Sequence, residues 1–578
     1  MSISNFQEKF IKGPIGKAVL LFSAVGMLVV GFSSCGRTAQ LAALDEKGNK
    51  QVPFATVGSV ELPVAWIDQF IEEQTKQFPP GMMDSIGPTY KAGMYAQAVN
   101  QLISQAHLYE YASRNGYKSD NEDLLKMLKI DSEASFKADI KQKLIDAKQL
   151  PATATDVDLD KKIAELAPGK TFVAIYKEQK EQVDKVLNDK SKRPLAVMSL
   201  AAQYMTQKLE AGMKPTDDDV KKSFEVFDVK QITVKTSATV TDAQAKEKAQ
   251  KAYDALKTGT SFEAAMMTYS EEPAPAGKQK SDNILSVSKA QIESSPDMKP
   301  ILALQPGDYT APTKVFDGYS IFKYAGKKVN TPKDYDANKD NYRKQFVSSE
   351  VNRKITEELK VVSKEVEPRF SVKAYEAAYL FGKASMPEGA DALTPNTTAF
   401  QKVIDVAKQA NANEPGFKMS VELQLAAIER MATVPGADVA KLKPQRIEII
   451  TKYLEFSDLW QYRKELIDAY KEEKNGDKAY NALLVALDKN NKYDQAGQQN
   501  YSEISGKYLE LKSAGLVKPE QEKEFIAKQE QWQKEKKTYD EMVAREKALQ
   551  EAEQKKAAEE AKKAAASAPK SESKPKGK

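Results

Sequence analysis

Cysteine and histidine are almost missing from this chain. Its 578 residues hold one of each, Cys35 and His107. A lone cysteine excludes an intramolecular disulfide, and one cysteine with one histidine falls well short of a Cys/His zinc site, so neither metal nor cofactor is expected. Nucleophilic catalysis of the serine–histidine or cysteine–histidine kind would have to run on His107 alone. A dominant charge sign is lacking as well. Lys and Arg number 87 against 82 Asp and Glu, a net charge of +5 with both signs interspersed. That leaves no massed basic face for nucleic acid. What remains is a globular balance of 29% charged and 41% hydrophobic residues. The length exceeds one ordinary core and implies three or four domains.

The amino terminus carries a targeting pattern. Lys9, Lys12 and Lys17 precede the uncharged run AVLLFSAVGMLVVGF over 18–32, the arrangement of an export signal or anchor with its basic side in the cytoplasm. At about 15 to 17 residues the run is shorter than the roughly 20 a spanning helix prefers. It ends in GFSSC, residues 31–35. That ending resembles a bacterial lipobox, with Phe32 where leucine is usual, and implies lipidation of Cys35. The alternative is an uncleaved anchor in which Cys35 is incidental. Either way the following residues lie in a bacterial cell envelope, tethered to the cytoplasmic membrane and facing the periplasm.

After this segment (1–35) and a polar linker (36–52), the pattern predicts a helical lobe over 53–225. It opens as a short strand, a turn and a helix bearing Val64, Ile67, Phe70 and Ile71 on one stripe. A long helix follows, with Tyr95, Val99, Leu102, Ala106 and Tyr109 aligned and Gly116 ending it. Ser119 with Glu122, and Thr216 in KPTDDDVKKSFE, read as helix starts. At Phe227 the character changes. FDVKQITVKT alternates as a strand, Thr241 and Gln244 cap a helix, TGTSFEAAMMTYSEEP holds a second one, and 273–287 reads as loop. Residues 226–328 thus predict an α+β domain in the order β-α-α-loop-α-β-β. A long helix occupies 329–370, helical repeats fill 371–515, loosely like tetratricopeptide repeats, and 516–578 form a long helix ending in a disordered Lys/Ala-rich tail from 564. The fold class is multidomain, mainly α with one α+β domain.

This order resembles the extracytoplasmic foldases of the SurA, PpiD and PrsA type, in which a parvulin-type peptidyl-prolyl isomerase domain is inserted into a helical chaperone lobe that a return helix completes. The resemblance spans roughly 53 to 370. Within the isomerase-like part, VKQITV is similar to the first strand of that family. Phe262, Tyr269 and Ser270 sit in register with its Gly-x-x-Phe…Ala…Tyr-Ser run, and LQPGDYTAPTKVFDGYSIFK matches the closing motif. The resemblance implies unfolded or nascent exported polypeptides as clients, with a possible protein partner on the later helical repeats.

Prolyl isomerisation needs no covalent chemistry. The bond turns in tens to hundreds of seconds unaided, and an enzyme supplies an apolar proline pocket and polar groups around the twisting amide. The family places two histidines, a threonine and an aspartate or cysteine in that ring. Here those positions are Gln231, Ser320, Val315 and Glu272, all substituted, and GKQKSDNILSV (277–287) replaces the glycine-rich loop. The resemblance puts Phe262, Ile292, Met298 and Tyr319 at substrate-binding positions. Three readings stay open. The first is a chaperone with weak or no isomerase activity, favoured because four ring positions change at once. The others are an active isomerase and a solenoid scaffold of a membrane complex. His107 reads as a satisfied, partly buried side chain. SDNE (281–284) and PTDDDV (215–220) lack the spacing of a calcium loop.

Overall fold

The computed structural model describes residues 41–567, apart from 43, 46–48, 77, 79–85, 238, 316, 387–396, 435–436, 492 and 494. The apolar run, Cys35 and the residues after 567 therefore lie outside the described residues. These fall into two compact units, Met1–Pro79 with Thr89–Ala437, and Pro80–Pro88 with Asp438–Lys578. No described helix is long and apolar enough to cross a membrane.

The first unit opens with a hairpin, β1 (Pro53–Val57) and β2 (Val60–Pro63), turned at Gly58 and running directly into α1 (Val64–Thr75). The linker is not wholly free of structure, because Leu41 forms a parallel bridge to Val60. The long helix α2 (Pro88–Arg114) ends where Gly116 takes φ 90°, letting the Tyr117 amide return to the Ala112 carbonyl. This is the left-handed stop that glycine accepts without strain. Next come α3 (Asn121–Met127), α4 (Glu133–Asp146), α5 (Asp156–Leu166), α6 (Phe172–Asn188), α7 (Arg193–Gly212) and α8 (Asp217–Lys222). The cap of α3 is Asp120, not Ser119, its carboxylate accepting from the Asp123 amide. Thr216 caps α8 through a reciprocal box with Asp219, as its sequence implies. Such caps satisfy otherwise orphaned amides and each contribute about 1 kcal/mol.

The α+β domain follows as β3 (Glu225–Lys235), α9 (Asp242–Lys257), α10 (Phe262–Tyr269), β4 (Leu285–Ser288), α11 (Lys289–Ser294), β5 (Thr313–Val315) and β6 (Gly318–Val329). Its antiparallel sheet has the order β4-β3-β6-β5. Residues 285–288 are thus a strand, although the stretch reads as loop. The hydrogen bonds of β3 impose extended structure on four residues whose own pattern is too short to announce it.

The chain then returns to the lobe. Helix α12 (Lys339–Glu365) lies against α7 and α8, and β7 (Arg369–Phe370) adds to β1 through Ala55–Phe370 and Thr56–Arg369. Both crossings into the α+β domain meet at an aromatic cluster. Phe224 stands edge-on to Tyr335 and Tyr342, which stack on each other at 5.7 Å. Three helices complete the unit, α13 (Lys373–Ser385), α14 (Thr397–Ala407) and α15 (Phe417–Ala432). Every residue of α15 from Met419 to Ile428 is buried, as a central helix requires.

The second unit contains α16 (Val439–Tyr453), α17 (Trp460–Glu472), α18 (Gly476–Lys489), α19 (Gln495–Ser513) and α20 (Pro519–Ser567). Ion pairs Lys464–Glu503, Asp468–Lys507 and Lys471–Glu510 all join residues 39 apart, so α17 and α19 run parallel. Lys518–Asp477 and Lys528–Asp488 relate α20 to α18 in the same sense. The stacked rings Tyr508–Phe525 and Tyr501–Trp532, by contrast, make α19 and α20 antiparallel. Two helical hairpins are therefore stacked in register. Helix α20 reaches Ser567, past the start of the expected disordered tail.

Candidate functional site in the α+β domain

Strand alternation divides the sheet into two faces. On one, Ile232 and Ile321 pack with Phe262 and Met266, while Val234 and Tyr319 pack with Ala245 and Ala249 of α9. The other carries Val229, Gln231, Thr233 and Lys235 of β3, opposite Tyr324, Phe322, Ser320 and Gly318 of β6. This second face holds the ring positions.

Ser320 lies directly opposite Thr233, and Gln231 opposite Phe322. The Gln231 amide Nε2 donates to Thr233 Oγ1 at 2.6 Å and to Ser320 Oγ at 3.0 Å. The two hydroxyls are 3.1 Å apart and share a further bond. Ser320 is 0% exposed and Thr233 1%. Beside them the Thr233 amide donates to Ser270 Oγ, and its carbonyl accepts from the Glu271 amide, fixing the end of α10 against β3. The polar atoms of this cluster satisfy one another inside the fold. Sequence reasoning missed Thr233. The available signal was its place two residues beyond Gln231, which puts both on one face of an alternating strand.

Glu272 is not part of this cluster. Its carboxylate pairs with Lys235 Nζ at 3.1 Å and holds that ammonium above its usual pKa. Val315 is buried with Ile292, Ile301 and Phe322, and Met298 packs against the same group half-buried. Two of the expected pocket residues, Ile292 and Met298, thus share the ring's face, with Phe322 supplying an aromatic ring that the sequence left unassigned. The other two do not. Phe262 and Tyr319 lie on the opposite face, in the helix-facing core. The Tyr319 hydroxyl donates to Asp242 at 2.9 Å, and burial, with that carboxylate beside it, pushes its pKa up to about 12. The phase of the strand decides this, since Tyr319 and Ser320 are neighbours and must point apart.

His107 lies far along the chain in α2, 4% exposed, its Nε2–H donating to the Val366 carbonyl at 2.7 Å. Burial holds its pKa below the ordinary imidazole value. Among the described residues no cluster of potential metal ligands occurs.

The sequence model of one family, Rotamase, described as the PPIC-type PPIASE domain, matches residues 229–326. No curated protein matches the chain. Among solved structures, peptidylprolyl isomerase PrsA of Bacillus cereus is 17% identical, covering 52% of this chain and 91% of its own, with a TM-score of 0.22. PrsA of Bacillus anthracis is 22% identical over 42% and 96%, at 0.18. Foldase protein PrsA of Lactococcus lactis is 15% identical over 47% and 92%, at 0.17. At such TM-scores the likenesses carry no argument of their own. The domain match, the sheet order and the placement of the ring positions agree with one another: residues 229–326 are a PPIC-type, that is parvulin-type, peptidyl-prolyl isomerase domain.

Proposed function

We propose that the protein is a membrane-tethered extracytoplasmic foldase that holds unfolded exported polypeptides, and that its parvulin-type domain serves as a binding and structural module with little or no isomerase activity. One observation carries the second half of this reading. Ser320, at a position where the family keeps a histidine, has no exposed surface, and its hydrogen bonds go to Gln231 and Thr233. A prolyl amide cannot reach its hydroxyl without displacing the side chains that cover it. The half-buried apolar stripe of α12, with Phe346, Ile355 and Leu359, supports client holding, since partly open apolar helix faces suit weak, promiscuous contacts.

The test uses residues 36–578, which keep every described residue. Cis–trans exchange of a proline tetrapeptide should proceed at the rate in buffer while aggregation of an unfolded client is suppressed. An acceleration that Ser320→Ala abolishes would overturn the non-catalytic reading. Failure to suppress aggregation of any client would overturn the foldase. The mass of the mature amino terminus separates lipidated Cys35 from an uncleaved anchor.

A further inference from the structure

Among the described residues the sheet of the parvulin-type domain ends at β4. Its order is β4-β3-β6-β5, and Ile284, Leu285 and Ser286 are all exposed. An open edge is a template for a further strand, and proteins commonly blunt such edges with lysine, proline or a bulge. The stretch ILSVS, residues 284–288, has neither lysine nor proline, and its register against β3 runs without a break. It is apolar instead. Ile284 keeps 48% of its surface in solvent and Leu285 40%.

Two hydrogen bonds fix which backbone groups face outward. In an antiparallel pair, successive residues turn their N–H and C=O groups alternately towards and away from the partner strand. The Phe224 carbonyl accepts from the Asn330 amide, so ahead of the β3 bulge the even-numbered residues face β6 and the odd-numbered ones β4. Phe227 and Val229 therefore bond Val287 and Leu285, their register partners. The Ser288 amide agrees, because it donates to Gln291 in the cap of α11 and not to β3. Ser286 has the same phase as Ser288. Its N–H and C=O both point to the open edge, while its hydroxyl donates to Asp228 at 2.5 Å. Leu285, opposite Val229, stands with half-buried Val287 on the face that carries the ring positions.

We infer that β4 takes up an extended segment of an unfolded polypeptide as a further strand of this sheet. The inference rests on the foldase reading and names the conformation in which a client is held. The chemistry on offer selects the occupant. A donor and an acceptor on one residue match the backbone of any extended chain, whatever its sequence. A helix has already used its own amides, apart from those at its ends. Ile284 and Leu285, on opposite faces by alternation, add apolar contact to the incoming strand. A second copy of this chain joined edge to edge would share only residues 284–286 from each side, far short of the roughly 1,200 Å² that a stable interface buries. So short a contact gives weak, sequence-tolerant binding, which holding many clients requires.

The experiment titrates residues 36–578 with a labelled peptide of alternating valine and threonine between terminal lysines, about ten residues long. At saturating peptide the Ser286 amide should exchange its hydrogen about tenfold more slowly. The same peptide methylated on alternate backbone nitrogens should bind about fivefold more weakly. Ser286→Pro removes an N–H that β3 does not use, so the β3–β4 pair is kept. It should bind the peptide about five- to tenfold more weakly than Ser286→Ala, because both lose the Asp228 bond and only proline loses the amide. An unprotected Ser286 amide, equal affinity of the two variants, or equal binding of the methylated peptide overturns the proposal. A dimer that Ser286→Pro dissociates would make a second copy the occupant and overturn it as well. Suppression of client aggregation that survives any of these results leaves the foldase standing, so the two readings fail separately.

Discussion

At the scale of single residues, the cluster around Ser320 behaves as structure. Ser320→Ala leaves Gln231 and Thr233 each short of a buried partner, so a loss of about 1–2 kcal/mol is expected in denaturant unfolding of the domain. The triple change Gln231→Leu, Thr233→Val and Ser320→Ala should cost less than the sum of the single changes, because an apolar set leaves nothing unsatisfied. A triple-mutant cost equal to or above that sum would show that the hydroxyls do something other than satisfy each other. His107 gives a second, sharper test. Its folded pKa lies below the free value, through burial chiefly, with Lys383 lowering it and Glu110 and the Val366 carbonyl opposing. The stability it contributes is therefore complete above the ordinary imidazole pKa and lost as pH falls past it towards the lowered value. Glu422, which burial holds above its free value despite Lys91 and Tyr95 beside it, acts in the opposite sense, its contribution being lost as pH rises through the folded pKa. Unfolding measured between about pH 5 and 7 should lose the acid-side decline in His107→Gln, while Glu422→Gln should steepen it.

At the scale of elements, β3 and β6 form the spine of the domain, and one glycine sets their distance. Gly318 sits at φ 156°, where an added Cβ would lie 2.0 Å from the Val234 carbonyl oxygen. Gly318→Ala should then cost roughly 2–4 kcal/mol, seen as loss of protection from hydrogen exchange across the β3–β6 pair. This glycine was legible in the closing motif GYSIFK. So were the helices that announce themselves locally, such as α9 with Thr241 and Gln244 in a reciprocal cap. Elements defined by a distant partner were not. Strand β4 exists because Asp228 and Val229 pair with Ser286 and Leu285, and Leu41 is ordered by β2. The same limit applied to the site. Gln231 and Ser320 could be placed together from the family pattern, whereas Thr233 between them needed the register of β3 against β6. That Phe262 and Tyr319 lie on the face away from Ser320 was not legible either, because a motif gives order along the chain without telling which face of the sheet each side chain takes.

At the scale of the whole molecule, the two compact units carry separate optical reporters. Trp66 belongs to the first unit, Trp460 and Trp532 to the second, and the chain has no other tryptophan. Trp66→Phe and a Trp460→Phe/Trp532→Phe double variant each leave one unit visible. Their denaturant midpoints should differ, as expected when units have separate cores, and coincident transitions would instead indicate a single cooperative fold. By itself the sequence determined the class of the protein: mainly helical, with one α+β domain of parvulin type whose ring had lost its histidines. Those properties live in composition, spacing and short motifs, which act over a few residues. The tertiary structure decided what became of the ring. Only the pairing of β3 with β6 shows Ser320 sealed against Thr233 and Gln231, Glu272 drawn off by Lys235, and Tyr319 turned to the opposite face. Burial and hydrogen-bond satisfaction depend on residues nearly ninety positions apart, and no local pattern encodes such a meeting.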